Sequence, residues 1–152
     1  MFEYEKVTLH WVNRLGFLVR KELQAAFRKA GHDVSPEDWA ILLVLWRKGP
    51  QRPSAIADVT VKDRTTVTRL VDAMVRKGLV ERKVDDKDRR GSIIAVSAQG
   101  TALKSELIPI AKSIIDRALG EIPADDIETT TRTLEAMTQN LLSGHINKGA
   151  KP

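Results

Sequence analysis

The feature that most constrains this chain is a single change of hydrophobic period at Gly78, from 3.6 residues before it to 2 after it. Before the change, Val67, Leu70, Val71 and Met74 recur at helical spacing, which predicts a helix over Arg64–Lys77 capped by Asp63 and closed by Gly78. After it, Leu79–Val84 alternates as a strand, Asp85–Gly91 is a charged turn, and Ser92–Ser97 is a second strand rich in Ile and Val. Every residue of that turn except Gly91 is charged, so the whole tip is expected to be solvated. A short helix near Ser54–Thr60, with Ile56, Ala57 and Val59 as its apolar positions, precedes the turn into the first helix. The order is helix, turn, helix, basic hairpin.

The flanks are helical. Val7–Ala30 carries two apolar stripes, Trp11, Leu15 and Leu18 on one and Val12, Val19, Leu23, Ala26 and Ala30 on the other. Two stripes imply two partners, the chain's own core and a second subunit. Gly31 permits the left-handed cap that ends this helix. Ser35-Pro36-Glu37-Asp38 starts the next: Ser35 caps, Pro36 suits the first turn, and the acids favour the helix dipole. That helix is apolar all round through Trp46, as a buried central helix would be, and Lys48-Gly49-Pro50 stops it. Ser97 opens a further helix bearing Leu103, Leu107, Ile110, Ile114 and Leu119, which Pro109 is expected to bend. A last helix, about Ala124–Leu142, carries Ile127, Leu134, Met137 and Leu141, with Thr-rich positions between. The fold class is therefore mainly α with a small β-hairpin wing.

Composition narrows the function. The longest apolar run, Trp39–Trp46, is far below the roughly 20 residues needed to span a bilayer, so no membrane segment is expected. The acidic start Met1-Phe2-Glu3-Tyr4-Glu5-Lys6 is unlike a signal peptide, and a cytoplasmic location is expected. With no cysteine, disulfides, thiolate catalysis and Cys-based zinc sites are excluded. Residues 61–90 hold ten Lys/Arg against six Asp/Glu, whereas the stretch from Glu121 onward holds three against five, so the basic character belongs to the middle segment.

A localised basic segment on a helix and a hairpin is what duplex DNA selects. With its apolar row inward, the helix presents Thr65, Thr68, Arg69, Asp72 and Arg76 on the opposite face. Threonine reaches base edges, phosphates and thymine methyls, and arginine bonds guanine in a bidentate way. Lys87-Asp88-Arg89-Arg90 at the hairpin tip would place guanidinium groups in a minor groove, with Asp88 holding an arginine in its rotamer. Taken alone, each segment also fits an ordinary solvated face.

The run Leu70-Val71-Asp72-Ala73-Met74-Val75-Arg76-Lys77-Gly78-Leu79-Val80-Glu81-Arg82, followed by Asp88-Arg89-Arg90 and Val96-Ser97-Ala98-Gln99-Gly100, resembles the MarR family of bacterial winged helix-turn-helix transcriptional regulators. The resemblance implies a homodimer with interlocking N- and C-terminal helices, a recognition helix in the major groove and a wing in the minor groove. It implies a helical dimerisation region over 1–34 and 98–146, a DNA-binding lobe over 35–97 and a tail over 147–152. The recognition set would be Arg64, Thr65, Thr66, Thr68, Arg69 and Arg76, and the wing set Lys87, Asp88, Arg89 and Arg90. Two departures stand out: Thr60-Val61-Lys62 occupies a turn that commonly contains glycine, and Ser97 replaces a more frequent threonine.

Many relatives of this kind answer to small aromatic or phenolic ligands, for which His10, Trp11, Arg14, Trp39 and Trp46 are the candidate pocket here, unless the tryptophans are core. His10, His32 and His145 lie far apart, so no metal site is expected, and no phosphate loop, nucleophile elbow or acid-base pair points to an enzyme or a cofactor. The function implied is a dimeric repressor or activator on a pseudo-palindromic operator. The alternatives are a winged helix that binds a protein partner, and a winged-helix regulator with a different signal.

Overall fold

The computed structural model describes residues 1–146, with side chains through 144; the tail segment 147–152 and the side chain of His145 lie outside the described residues. After a 3-10 turn, Tyr4–Lys6, the order is α1 (Thr8–Lys29), α2 (Pro36–Lys48), α3 (Pro53–Thr60), α4 (Arg64–Arg76), β1 (Val80–Val84), β2 (Ser92–Val96), α5 (Ala98–Leu119) and α6 (Ala124–Ile146). Contacts divide the chain into a unit over Met1–Ile114 and a second from Ile115 onward.

In the first unit, one core gathers residues from five helices and the hairpin. Phe27 of α1, Ile41, Leu42 and Leu45 of α2, Ile56 of α3, Val67, Val71 and Met74 of α4, Ile94 of β2 and Leu107 of α5 are all buried in it. Ser35 accepts the Asp38 amide at 3.0 Å while the Asp38 carboxylate accepts the Ser35 amide at 3.0 Å, a reciprocal box that fixes the start of α2. β1 and β2 pair antiparallel with Val80 opposite Val96 and Val84 opposite Ser92. A third segment joins them: Gln51 and Ile94 exchange backbone hydrogen bonds of 2.9 and 2.8 Å.

Several expectations need correction. α2 is not buried all round, because Leu43 is exposed; the short α3 buries Ile56 and Ala57 but leaves Val59 in water. Alternation in β1 ends early, since Val80 is buried and Val84 exposed. The charged tip is not wholly solvated either: Asp85 is only 2% exposed. Burial there is tolerated because Oδ1 accepts a backbone hydrogen bond and Oδ2, which has no hydrogen-bond partner, is in an ion pair, as described below.

α1 uses its two stripes differently. Of the second stripe Leu23 is buried and Val19 and Ala26 are half-buried, joined in the core by Phe27, which neither stripe included. Val12 and Ala30 are exposed, as are Trp11, Leu15, Phe17 and Leu18. In the second unit, Ile127, Leu134 and Met137 of α6 are half-buried and Leu141 and Leu142 are exposed. The threonines of α6 satisfy themselves: Thr130, Thr131, Thr133 and Thr138 each donate to the carbonyl four residues back at 2.7–2.9 Å. Among the described residues no helix is long and apolar enough to cross a membrane.

Candidate nucleic-acid interface

The turn into α4 is built on Val61, whose φ of 53° makes it the one described non-glycine residue with a left-handed backbone. A β-branched side chain is strained there, and Val61 is also 76% exposed. The glycine usual at such a turn would adopt this φ freely. The backbone geometry is thus kept at a cost.

Asp63 caps α4 by accepting the Thr66 amide at 2.7 Å and the Thr66 hydroxyl at 3.0 Å. Those hydrogen bonds hold the Asp63 carboxyl below its usual pKa. Thr66 is therefore occupied in the cap rather than free at the surface. On the outer face Arg64, Thr65, Thr68, Arg69 and Arg76 are exposed, with the Thr68 hydroxyl donating back to the Arg64 carbonyl at 2.9 Å. Val67, Val71 and Met74 on the inner face are fully buried, so the apolar row sets which way the outer face points.

Polar ties hold the C-terminal half of α4. Asp72 pairs with Arg82 of β1 at 2.5 Å. Lys77 Nζ lies 2.7 Å from Asp38 Oδ2, which joins the end of α4 to the capping box of α2. Partial burial pushes the Lys77 pKa down, but the Asp38 hydrogen bond and charge outweigh it and the net shift is upward. Glu37 shows the mirror case: burial pushes its carboxyl up, and the Arg20 hydrogen bond and charge bring it below the usual value.

A strap of hydrogen bonds then fixes the hairpin to the helices. Ser97 Oγ donates to the Gly78 carbonyl at 2.6 Å and accepts the Gly100 amide at 2.9 Å. A Cβ at Gly100 would lie 2.2 Å from the Leu79 carbonyl oxygen, so only glycine fits. Sequence reasoning saw Ser97 as a helix cap, and the structure adds its link to Gly78.

At the hairpin tip Lys87, Asp88, Arg89 and Arg90 are all exposed. Asp88 Oδ1 accepts the Arg90 amide at 3.1 Å, and the Gly91 amide donates to the Asp88 carbonyl at 2.9 Å. The expectation that Asp88 orients an arginine side chain is corrected: it orients the arginine's backbone, because a short carboxylate reaches the amide two residues on. Asp85 repeats the device, its Oδ1 accepting the Lys87 amide at 3.0 Å. Its Oδ2 lies 2.7 Å from Nη2 of Arg52, which starts α3. The Lys87 amide above all, with Arg52 beside it, holds the Asp85 pKa below its usual value despite burial. Sequence reasoning missed both Asp85 and Arg52. The repeated spacing of Asp85 to Lys87 and Asp88 to Arg90 was the available signal.

The five candidate pocket residues fall into two groups. Trp39 stacks near Phe27 (5.4 Å between centroids) and Trp46 (5.8 Å), and the Trp46 indole donates to the Gly100 carbonyl at 3.3 Å. These two tryptophans are wall of the core. His10 instead lies between Tyr4 and Trp11, with ring centroids 4.9 Å from Tyr4 and 5.2 Å from Trp11, and Arg14 is exposed on the same helix. His32 pairs with Glu106 at 3.1 Å. Among the described residues there is no group of three or more His, Cys, Asp or Glu placed to hold a metal ion.

A helix seated on a buried apolar row, entered through a tight turn and followed by a two-stranded basic hairpin, defines a winged helix-turn-helix protein. Residues 34–92 match the model of the MarR family. The chain is similar to the HTH-type transcriptional regulator MhqR of Bacillus subtilis, at 26% identity over 75% of this chain and 79% of that protein. It is similar to the HTH-type transcriptional repressor NicR of Pseudomonas putida, at 27% identity over 74% of this chain and 75% of that one. Its fold is similar to that of BpsR of Bordetella bronchiseptica, whose DNA binding is regulated by 6-hydroxynicotinic acid, with a TM-score of 0.80 at 18% identity over 91% and 97% of the two chains. CouR from Rhodococcus jostii RHA1, solved bound to p-coumaroyl-CoA, gives a TM-score of 0.79 at 20% identity over 90% and 95%. The family match thus runs from the start of α2 to the start of β2, and the chain is similar to MarR-family regulators over most of its length.

Proposed function

We propose that this protein is a sequence-specific regulator that binds double-stranded DNA as a homodimer, with α4 in the major groove and the wing tip in the minor groove. The observation that carries this reading is the two-sided α4, whose buried Val67, Val71 and Met74 aim Thr65, Thr68, Arg69 and Arg76 outward. Arg69 and Arg76 supply the bidentate donors, Thr65 and Thr68 the short contacts, and Arg64 a charge at the helix start. Lys87, Arg89 and Arg90 extend the grip to the next groove, while Thr66 and Asp88 shape the backbones that carry them.

The DNA-binding lobe spans 35–97, and residues 1–34 and 98–146 supply the dimer contacts. Exposed Trp11, Leu15, Phe17 and Leu18 on α1 support this, as do exposed Leu141 and Leu142 on α6, because apolar faces of that kind mark interaction surfaces. A two-fold protein requires a pseudo-palindromic operator with half-sites about one DNA turn apart. Acting on chromosomal DNA places the protein in the cytoplasm. A small aromatic acid relieves repression, as the aromatic ligands of BpsR and CouR support, and His10, Trp11 and Arg14 are the side chains on α1 suited to it.

Selection of duplexes from a random pool tests the reading. Enriched sites with two-fold symmetry are expected, bound less tightly as salt rises through counterion release. Arg90→Ala should weaken every sequence, whereas Arg69→Ala should also relax preference at one position. Salt-independent binding, or none, would sink the reading.

A further inference from the structure

Arg52 stands where a helix prefers Ser, Thr, Asp or Asn, and it makes no side-chain cap to α3. Pro53 at the next position removes one of the amides such a cap would serve. The guanidinium reaches instead to the root of the wing, 2.7 Å from Asp85 Oδ2. That carboxylate is almost wholly enclosed, with a side chain 3% exposed, although its neighbours in sequence are in water.

Asp85 is also where the wing tip begins. Its amide donates to the Gly91 carbonyl at 3.1 Å, closing the turn that carries Lys87, Arg89 and Arg90, and its Oδ1 fixes the Lys87 amide. Next to Arg52, Gln51 is bonded to Ile94 in the second strand of the wing. A groove of about 450 Å³ lies between α3 and the wing root, lined by Gln51, Arg52, Ser54, Asp85 and Lys87 among others, so packing alone does not fill this junction.

We propose that Arg52 and Asp85 are a positioning pair for DNA binding: their ion pair fixes the wing's angle to the helical lobe, so that the tip arginines and α4 address one duplex together. The proposal rests on the DNA-binding reading of the wing given above. An ion pair between an enclosed carboxylate and a half-exposed guanidinium is a poor source of net stability but can set geometry, which is the property needed where one basic element must be aimed relative to another. Neither residue has to touch DNA for this. They act through Arg89 and Arg90.

The test uses the full chain and a duplex recovered from a random pool by the wild-type protein. Asp85→Asn keeps the oxygen that accepts the Lys87 amide but removes a negative charge, so electrostatics alone would tighten binding to phosphate. The positioning pair predicts the opposite sign, about tenfold weaker binding, with a salt slope shallower by about one contact. In the Asp85→Asn background Arg90→Ala should cost little more, because the tip is already misplaced, whereas Arg69→Ala should cost as much as it does alone. Arg52→Lys should keep most of the affinity that Arg52→Ala loses. Binding by Asp85→Asn as tight as wild type or tighter, or full additivity with Arg90→Ala, overturns the pair while leaving the wing reading intact. An Arg90→Ala protein that binds as wild type overturns the wing reading and the pair with it.

Discussion

The two basic elements of the lobe are held in place by different physics. α4 is aimed by an apolar row of three fully buried side chains, Val67, Val71 and Met74. The wing tip has no such row; its backbone is held by the carboxylates of Asp85 and Asp88 and by one ion pair to α3. Apolar packing is insensitive to pH and salt, whereas the hold of Asp85 on the wing tip lasts only while its carboxylate is charged and paired. The chain thus combines a basic helix seated by packing with a basic turn seated by polar contacts.

The largest effect expected from this contrast is on the packed element. Met74→Ala should cost about 3 kcal/mol of global stability in denaturant titration, because the cavity sits beneath α4 and in the shared core. A loss below about 1 kcal/mol would mean the row does not seat the helix. Val61→Gly should act in the opposite direction, raising stability by about 1 kcal/mol as the left-handed strain is relieved, partly offset by backbone entropy. Unchanged or lower stability would remove strain from the account of this turn.

How far the sequence revealed this contrast follows from its sources. The row of α4 was legible because helical periodicity survives any tertiary context, and so was the hairpin, because Gly78 separates two periods in one short stretch. The spacing of Asp85 to Lys87 could have marked its turn, but its burial was illegible because it depends on Arg52, more than thirty residues earlier, and charge density alone argues for solvent. Asp88 was placed correctly at the tip but given the wrong partner, since composition does not distinguish an arginine's side chain from its amide. Leu43 was read as buried because apolar character marks a candidate for the core without showing which face of the helix meets it. Trp39 and Trp46 were ambiguous between pocket and core, and their contacts with Phe27 and Gly100 place them in the core wall.

Smaller effects separate the wing from α4. Asp88→Ala should leave global stability within about 0.5 kcal/mol of wild type, since the residue is exposed, yet the Arg90 amide should lose its hydrogen-exchange protection. Retained protection would show that the tip is ordered by something other than this carboxylate. Acid should act in the same place. Asp85 titrates below its usual 3.8, so its contribution is present above that pH and is lost as the pH falls through the lower folded value. Exchange at the Lys87 amide should rise in that window, while interior α4 amides beside Val71 stay protected. Equal loss at both sites would erase the distinction between the two elements.

The central claim is that α4 and the wing grip one duplex at the same time. The most direct measurement is a double-mutant cycle on a selected duplex, titrating wild type, Arg69→Ala, Arg90→Ala and the double variant over a range of salt. The account predicts that each single change weakens binding, that the two losses add because they fall in different grooves, and that the salt slope falls by about one for each lost phosphate contact. Full affinity and an unaltered salt slope in either single variant would contradict it.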